Sequence, residues 1–226
     1  NKEITLGIFF FFFPAAIQNL LNVTGMTVLN NFTSSFGSNA VAAMGISYKI
    51  NMIPMYISMG LSQGIMPLIS YNYASKNYKR VKNTFYFSFV VSVSFMVLTS
   101  FIYGFCSHYF VSLFIETKEV VDYGSRFMKG MCLALPFLCI DFLAVGVFQA
   151  IGMGKLSLLF AILRKIVLEI PALIILNYLF PLYGLAYAQF IAEIILAIVA
   201  IIVILKLFAK WNKSEANLSL ETKQSL

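Results

Sequence analysis

Charged residues inside long apolar runs are the positions where this sequence could do chemistry. Asp141 lies at the middle of one such run, five residues after Pro136, and Glu193 and Lys49 lie within two others. A carboxylate inside a membrane is costly and usually faces protein or water, where it can take up H⁺ or Na⁺. Pro136 frees a backbone carbonyl and can open a water-filled bend one turn away. Asp141 is therefore the predicted cation-coupling or proton site, holding H⁺ or Na⁺; a simple hydrogen bond to a neighbouring helix is the structural alternative.

Polar side chains elsewhere in the apolar runs are candidates for a ligand cavity. Gln18 and Asn22 are four residues apart and share one face of a helix. Such amides either line a cavity that binds polar or cationic molecules or join helices to each other. For Glu193 a structural bond is the favoured interpretation. The candidate cavity or substrate-contact residues are Gln18, Asn19, Asn22, Lys49, Gln149 and Glu193.

Lys49 needs a partner if it is buried, and Asp141 or Glu193 could supply one. A lasting pair with Asp141 would keep that carboxylate ionised and couple it poorly to protons. Alternatively, Lys49 extends outward, since it lies about three turns from one end of its run. Glu169 follows Lys165 by four residues, which predicts an ion pair on one helix face.

Composition places these residues in a membrane protein. The chain has 226 residues, of which 60% are hydrophobic and only 11% are charged, with a mean hydropathy of +0.86. A soluble domain of this length needs a more polar surface. The net charge of +7 does not indicate nucleic-acid binding, because the cations cluster at the ends of the apolar runs.

The elements that carry these residues are predicted to be helices, so the fold class is all-α. A hydrocarbon core of about 30 Å needs roughly 20 helical residues. We expect one six-helix transmembrane lobe over residues 1–210 and a polar, solvent-exposed tail over 211–226. The six predicted spans cover about residues 4–32, 39–71, 84–105, 126–151, 156–180 and 185–208.

Basic residues set the predicted orientation, because cytoplasmic loops carry more Lys and Arg. The basic hairpin, residues 72–83, has four cations and no acidic residue. The turn at Lys155 and the tail after residue 208 are also basic, and Arg164 is predicted to be an anchor on the same side. Six crossings with both ends in the cytoplasm satisfy this pattern in a plasma membrane.

No motif in the sequence indicates an enzyme. There is no Gly-x-Ser-x-Gly nucleophile motif, no phosphate-binding loop of the Walker type and no His/Cys cluster with metal spacing. We therefore expect no cofactor, and an ion gradient rather than ATP as the energy source.

The residues from Ala42 to Thr84 resemble the eighth helix and following loop of the multidrug and toxic compound extrusion (MATE) transporters. The matching motifs are Gly60-Leu61-Ser62-Gln63-Gly64, Pro67, Tyr71-Asn72-Tyr73-Ala74-Ser75 and Lys79-Arg80-Val81, with Lys49 as the basic residue. Two later segments, Phe148–Gly152 and Leu163–Lys165 with Ile170-Pro171, resemble the MepA-like branch of the family. The resemblance covers about residues 6–208.

The resemblance implies a twelve-helix antiporter made of two six-helix lobes, of which this chain is the C-terminal lobe and a piece of a longer protein. Asp141 falls on the acidic position of the tenth helix that binds the coupling cation in some branches. Asn22 falls where some sodium-coupled members have Glu, and an amide cannot take up a proton. The main coupling carboxylate therefore lies either here or in the N-terminal six-helix lobe. Tyr71, Asn72, Lys79 and Arg80 would form a cytoplasmic loop or gate.

Together these features predict a secondary active exporter of amphipathic or cationic drugs, coupled to H⁺ or Na⁺. Its partners would be these small molecules, the lipid bilayer and the N-terminal lobe, with no nucleic acid. One alternative is a flippase for lipid-linked sugars of the same superfamily, which would need a cavity rich in Arg and Lys. A second alternative is a non-transporting membrane fragment that assembles with other proteins.

Overall fold

The fold is a bundle of helices. The structure is a computed structural model that describes the backbone of residues 2–224 and the side chains of residues 16, 17 and 20–213. No strand occurs in that backbone, which confirms the all-α fold class. The elements are α1 (Lys2–Ser34), α2 (Ser38–Ala74), α3 (Tyr78–Ser112), α4 (Lys118–Cys132), α5 (Leu135–Ala150), α6 (Gly154–Ile162), a π-helix (Leu163–Glu169), α7 (Ile170–Leu179), a 3₁₀ helix (Tyr183–Tyr187) and α8 (Ala188–Gln224).

The observed helices follow the predicted spans but run further at several ends. Helix α3 begins six residues before the predicted span, and α8 continues to Gln224 instead of ending near residue 208. Trp211, placed in the predicted polar tail, is buried against the bundle. Apolar periodicity continues through Phe208 and Trp211 on one face of α8, and this face keeps the helix attached to its neighbours.

The fourth predicted span is two helices joined at an angle. Helices α4 and α5 are bent by 47° at the break between Cys132 and Leu135. Pro136 lies in the first turn of α5, where its missing N–H needs no acceptor within the helix. The kink predicted near Pro136 is confirmed, and it lies about two turns before Asp141.

Length and composition alone identify three spanning helices among the described residues, at Ser38–Ala74, Tyr78–Ser112 and Tyr183–Lys213. The bent pair α4 and α5 qualifies as a fourth if it is one span. Helix α6, the π-helix and α7 follow one another without a break in the helical backbone. They differ in their backbone hydrogen-bond pattern, which is α, then π, then α again. The six-span arrangement and the cytoplasmic position of both ends stay predictions.

The described core has an apolar cluster at each end of the bundle. At the hairpin end, α5, α6 and α8 contribute Leu143, Phe160 and Leu196. At the opposite end, α1, α7 and the 3₁₀ helix contribute Leu29, Leu173 and Leu185. The charged side chains of the π-helix and α8 fall between these two clusters along their helices, so they lie at middle depth.

The π-helix begins at Leu163 and ends at Glu169, two residues before Pro171. Pro171 cannot donate the hydrogen bond that an α-helix would need at this point. A π-turn accommodates such an interruption, and single π-turns often occur at functional sites. Arg164, Lys165 and Glu169, all buried, are carried by this turn.

Candidate functional site

Asp141 is fully enclosed and paired with an arginine. Its side chain is 1% exposed, and its Oδ2 atom accepts a hydrogen bond from Arg164 Nη1 at 3.3 Å. The Arg164 guanidinium also lies over the Phe142 ring, 5.2 Å from its centre. The pair therefore joins α5 to the π-helix in the middle of the bundle. Within the described part of the chain, the second oxygen of Asp141, Oδ1, has no hydrogen-bond partner.

The prediction that Arg164 is a cytoplasmic-side anchor is wrong. Arg164 is 2% exposed and lies ten residues after the start of α6, which is about 15 Å into the helix at 1.5 Å per residue. That depth is close to the middle of a hydrocarbon core. The prediction relied on the short distance in sequence between Arg164 and the basic turn at Lys155. The partner of Arg164, Asp141, lies 23 residues away in the chain, so local sequence did not indicate it.

Helix α1 covers the arginine from the other side. Asn22 Oδ1 accepts a hydrogen bond from Arg164 Nη2 at 3.4 Å. One turn later, Gly25 packs so closely that a methyl group there would lie 3.3 Å from Lys165 Cδ. Asn22 therefore orients Arg164 in this structure; whether it also contacts a substrate stays a prediction.

Lys165 and Glu169 form a second buried pair. Lys165 Nζ lies 2.7 Å and 2.6 Å from the two carboxylate oxygens of Glu169. This confirms the ion pair predicted from their spacing. Both side chains are buried, so the pair is a neutral unit inside the bundle rather than a surface bridge.

Glu193 is the unpaired member of this group. It is 0% exposed on α8, and neither of its carboxylate oxygens has a hydrogen-bond partner among the side chains that the structure describes. The structural bond favoured for Glu193 is therefore wrong among the described side chains. Five buried charged residues lie at middle depth, here called the charged layer: Asp141, Arg164, Lys165, Glu169 and Glu193.

The remaining cavity candidates lie apart from the charged layer. Lys49 is exposed on α2, so it does not form the pair with Asp141 that was considered. Gln149 donates a hydrogen bond from Nε2 to Ser157 Oγ at 2.9 Å and joins α5 to α6 near their turn. The side chains of Gln18 and Asn19 lie outside the described residues. Cavity roles for all four stay predictions.

The exposed faces of the helices differ in chemistry. On α3 the exposed side chains include Phe87, Phe101 and Phe105, as a lipid-facing surface requires. Helix α2 instead exposes polar side chains every seven residues, which lie on one face. These polar residues are Lys49, Tyr56 and Gln63. On α1, Thr24 and Thr27 are exposed and donate hydrogen bonds to their own helix backbone. These residues of α1 and α2, here called the polar open face, lie beside exposed apolar side chains such as Leu20, Val23 and Ile53, so the surface is mixed.

Small residues bring α2 and α5 together at one point. Ser62 Oγ donates a hydrogen bond to the Phe142 carbonyl at 2.7 Å, and a methyl group at Gly146 would overlap the Ser62 hydroxyl. Gly60 and Gly64 have open space beside them. The close approach therefore depends on Ser62 and Gly146 and not on the two glycines around Ser62.

The basic hairpin is fixed to α8 by an aromatic cluster around Trp211. Tyr78 stacks on Trp211 with ring centres 5.2 Å apart, and Tyr73 lies 5.5 Å from Trp211. Phe208 contacts both Trp211 and Phe85. Lys82 Nζ also donates a hydrogen bond to Asn212 Oδ1. The aromatic cluster comprises Tyr73, Tyr78, Phe85, Phe208 and Trp211.

The predicted gate residues divide into two kinds. Asn72 is buried, and its amide donates to the Leu68 carbonyl at 2.8 Å, so it secures the end of α2. Tyr71, Lys79 and Arg80 are exposed. A gating role stays a prediction for all four residues.

The described residues contain no group of three or more His, Cys, Asp or Glu side chains able to hold a metal ion. Asp141 and Glu193 contribute three carboxylate oxygens without hydrogen-bond partners, next to the positive charge of Arg164. The chemistry that this arrangement can perform is uptake and release of a proton or a rearrangement of ion pairs.

Comparison with known proteins gives consistent results. The family model described as MatE matches residues 14–179. The multidrug export protein MepA of Staphylococcus saprophyticus is 34% identical over 219 residues, covering 96% of this chain and 48% of that protein. The chain thus spans about half the length of the curated relatives it matches.

Solved structures share the fold. An outward-facing multidrug resistance MATE family transporter of the MOP superfamily superposes with a TM-score of 0.87 at 18% identity, covering 94% of this chain and 48% of that one. The MATE transporter ClbM in complex with Rb⁺ gives a TM-score of 0.80 at 21% identity, covering 90% of this chain and 48% of that one. The resemblance inferred from the sequence is confirmed, and the chain belongs to the MatE family of membrane transport proteins.

Proposed function

We propose that the full-length protein is a secondary active exporter of amphipathic or cationic small molecules. The observation that carries this proposal is the 34% identity to a multidrug export protein over 96% of the chain. Export would proceed by alternating access in exchange for H⁺ or Na⁺. The charged layer supports ion coupling, because ionisable groups inside membrane spans commonly mark ion paths.

The polar open face of α1 and α2 supports a substrate cavity on that side of the chain. Lys49, Tyr56 and Gln63 are exposed there, and contact with lipid tails would leave their polar groups unsatisfied. We place an N-terminal six-helix lobe opposite this face, with the drug cavity between the two lobes. Aromatic and polar groups together suit ligands that combine an apolar body with a positive charge.

Asp141 belongs to the charged layer that forms the proposed coupling site, as the anionic partner of Arg164. Arg164 binds one oxygen of Asp141, and the other has no partner among the described residues. An arginine stays protonated, so it acts as a permanent counter-charge inside the lobe. Exchange of H⁺ or Na⁺ at this site therefore involves the whole charged layer rather than one carboxylate.

Membrane placement follows the sequence-based orientation: six spans in the plasma membrane with both ends in the cytoplasm. The basic hairpin would then face the cytoplasm, where its cations meet anionic lipid head groups. Tyr71, Lys79 and Arg80 are exposed at this end and would form the cytoplasmic side of the transport path.

The flippase alternative is less well supported. A pyrophosphate head group needs basic side chains that are free to bind it. Arg164 is paired with Asp141, and Lys165 is paired with Glu169. Lys49 is exposed on the polar face but is a single charge. The exporter remains the function that these residues favour.

The test is efflux of a fluorescent lipophilic cation from cells that lack their main pumps. Cells with the full-length protein should retain less dye than cells with the empty vector. Lys49→Gln should change the order in which different cations are exported, while Lys155→Gln, at an exposed cytoplasmic turn, should leave that order unchanged. Equal dye retention with and without the protein, at confirmed membrane abundance, would overturn the proposal in favour of a flippase or a non-transporting assembly partner.

A further inference from the structure

The charged layer carries one more negative than positive group. Arg164 and Asp141 form one ion pair, and Lys165 and Glu169 form another. Glu193 remains, with 0% exposure and, among the described residues, no partner for either oxygen. An isolated ionised carboxylate in a buried site is far too costly to persist without a compensating charge. Some exchangeable positive species must therefore accompany Glu193.

We infer that Glu193 binds the exchangeable proton of this lobe, and that Arg164 excludes Asp141 from that role. Protonation of Glu193 is a property of the folded protein and does not depend on transport. The inference rests on the proposed function only for the role of this proton in export. It assigns the coupling carboxylate to α8 rather than to α5.

The surroundings of Glu193 favour a proton over a metal cation. Two positive groups, Arg164 and Lys165, and two negative groups, Asp141 and Glu169, act on it electrostatically, so its surroundings supply no net negative charge to hold a metal cation. A proton needs no coordination shell and forms a neutral carboxylic acid. The titratable groups that act on Glu193 are Arg164, Lys165 and Glu169 of the π-helix and Asp141 and Cys139 of α5.

Loss of the proton would change the pairing of Arg164. The Nε atom of Arg164 and both carboxylate oxygens of Glu193 are buried, and none of them has a hydrogen-bond partner in the described part of the chain. Ionised Glu193 would therefore compete with Asp141 for the guanidinium, which has donors left for a second carboxylate. A shift of Arg164 toward Glu193 would pull the π-helix toward α8 and away from α1, where Asn22 now contacts it.

The proton is tested directly by infrared difference spectroscopy of the purified full-length protein between acidic and alkaline buffer. A buried carboxylic acid gives a C=O band that disappears on ionisation. We expect one such band, missing in Glu193→Gln, present in Glu116→Gln, an exposed control, and shifted by ¹³C labelling of glutamate carboxyls but not of aspartate carboxyls. A band that survives in Glu193→Gln, a band that shifts only on aspartate labelling, or no acid band in the native protein would each overturn the inference.

Transport measurements in vesicles distinguish failure of this inference from failure of the proposed function. In vesicles with a pH gradient and no Na⁺, the native protein should accumulate a lipophilic cation, and Glu193→Gln should lose at least tenfold of that accumulation. Native protein that accumulates no cation would count against export, while the infrared result still decides the proton site. Accumulation driven by a Na⁺ gradient at uniform pH, and lost in Glu193→Gln, would contradict the assignment to a proton.

Discussion

The aromatic cluster and the charged layer both join several helices, but they do so with opposite chemistry. In the aromatic cluster, Trp211 stacks on Tyr78 and contacts Phe208, so the start of α3 and the middle of α8 share a neutral, closely packed surface. In the charged layer, Arg164, Asp141 and Glu193 all retain polar atoms without partners among the described residues. The rings of the aromatic cluster have one well-packed arrangement, whereas the charges of the charged layer can pair in more than one way.

This difference indicates which part of the lobe is suited to change state. Packed aromatic rings resist gradual deformation, so the hairpin and α8 should move as one unit. An arginine between two carboxylates can be biased by a single proton, which is the kind of element that a transport cycle requires. The charged layer is therefore the expected switch, and the aromatic cluster is the expected rigid support.

The largest effect should come from removing the arginine of the charged layer. Arg164→Ala leaves Asp141 buried without its counter-charge, and breaking a buried pair in this way costs about 3–5 kcal/mol. We expect a large fall in membrane abundance and in the thermal unfolding temperature in detergent. Arg126→Ala, an exposed arginine that contacts Tyr183, should change both only slightly.

A paired substitution sharpens this test. Arg164→Gln combined with Asp141→Asn removes both charges and should recover much of the stability lost in Arg164→Ala, because the two sites are coupled. If the double variant is no more stable than Arg164→Ala, the ion pair is not the reason for the loss.

The next largest effect should come from the aromatic cluster. Trp211→Ala removes a buried ring that contacts Tyr73, Tyr78 and Phe208, at a cost of about 3–5 kcal/mol for a fully packed site and less here because the cluster lies at the bundle end. The unfolding temperature should fall. Folded Trp211→Ala protein should keep the infrared acid band assigned to Glu193. Loss of that band in Trp211→Ala would contradict the separation of support and switch.

A smaller effect is expected where α2 and α5 touch. In Gly146→Ala the new methyl group would overlap the Ser62 hydroxyl, and overpacking of this kind costs about 1–3 kcal/mol. Gly45→Ala is the matched control, because nothing lies within 4 Å of a methyl group at that position. The thermal unfolding temperature of Gly146→Ala should therefore be lower than that of Gly45→Ala. Equal unfolding temperatures would mean that the contact at Gly146 is not tight.

The sequence was sufficient for the helices, the bend and one ion pair. Apolar runs and proline positions depend on neighbours in the chain, so the kink at Pro136 and the pair Lys165–Glu169 followed from local spacing. The resemblance in α2 and the following hairpin correctly indicated the family.

The partners of the buried charges could not be predicted in the same way. Arg164 and Asp141 lie on different helices, and their pairing depends on how the π-helix packs against α5. One signal was available: besides the predicted pair Lys165–Glu169, two acidic residues lie inside apolar runs, Asp141 and Glu193, and Lys49 could pair with only one of them. Arg164, inside the fifth span, was the other cation that could pair with an acidic residue. The burial of Trp211 depends on how the hairpin packs against α8, so it could not be predicted from the sequence either.

The measurement that tests the central claim most directly is cation accumulation driven by a pH gradient, in vesicles containing the full-length protein. Native protein, Glu193→Gln and the exposed control Glu116→Gln would be compared at equal amounts of folded protein. If Glu193 holds the exchangeable proton, Glu193→Gln should lose gradient-driven accumulation but still exchange labelled for unlabelled cation without a gradient. Accumulation by Glu193→Gln equal to that of the native protein would contradict the account.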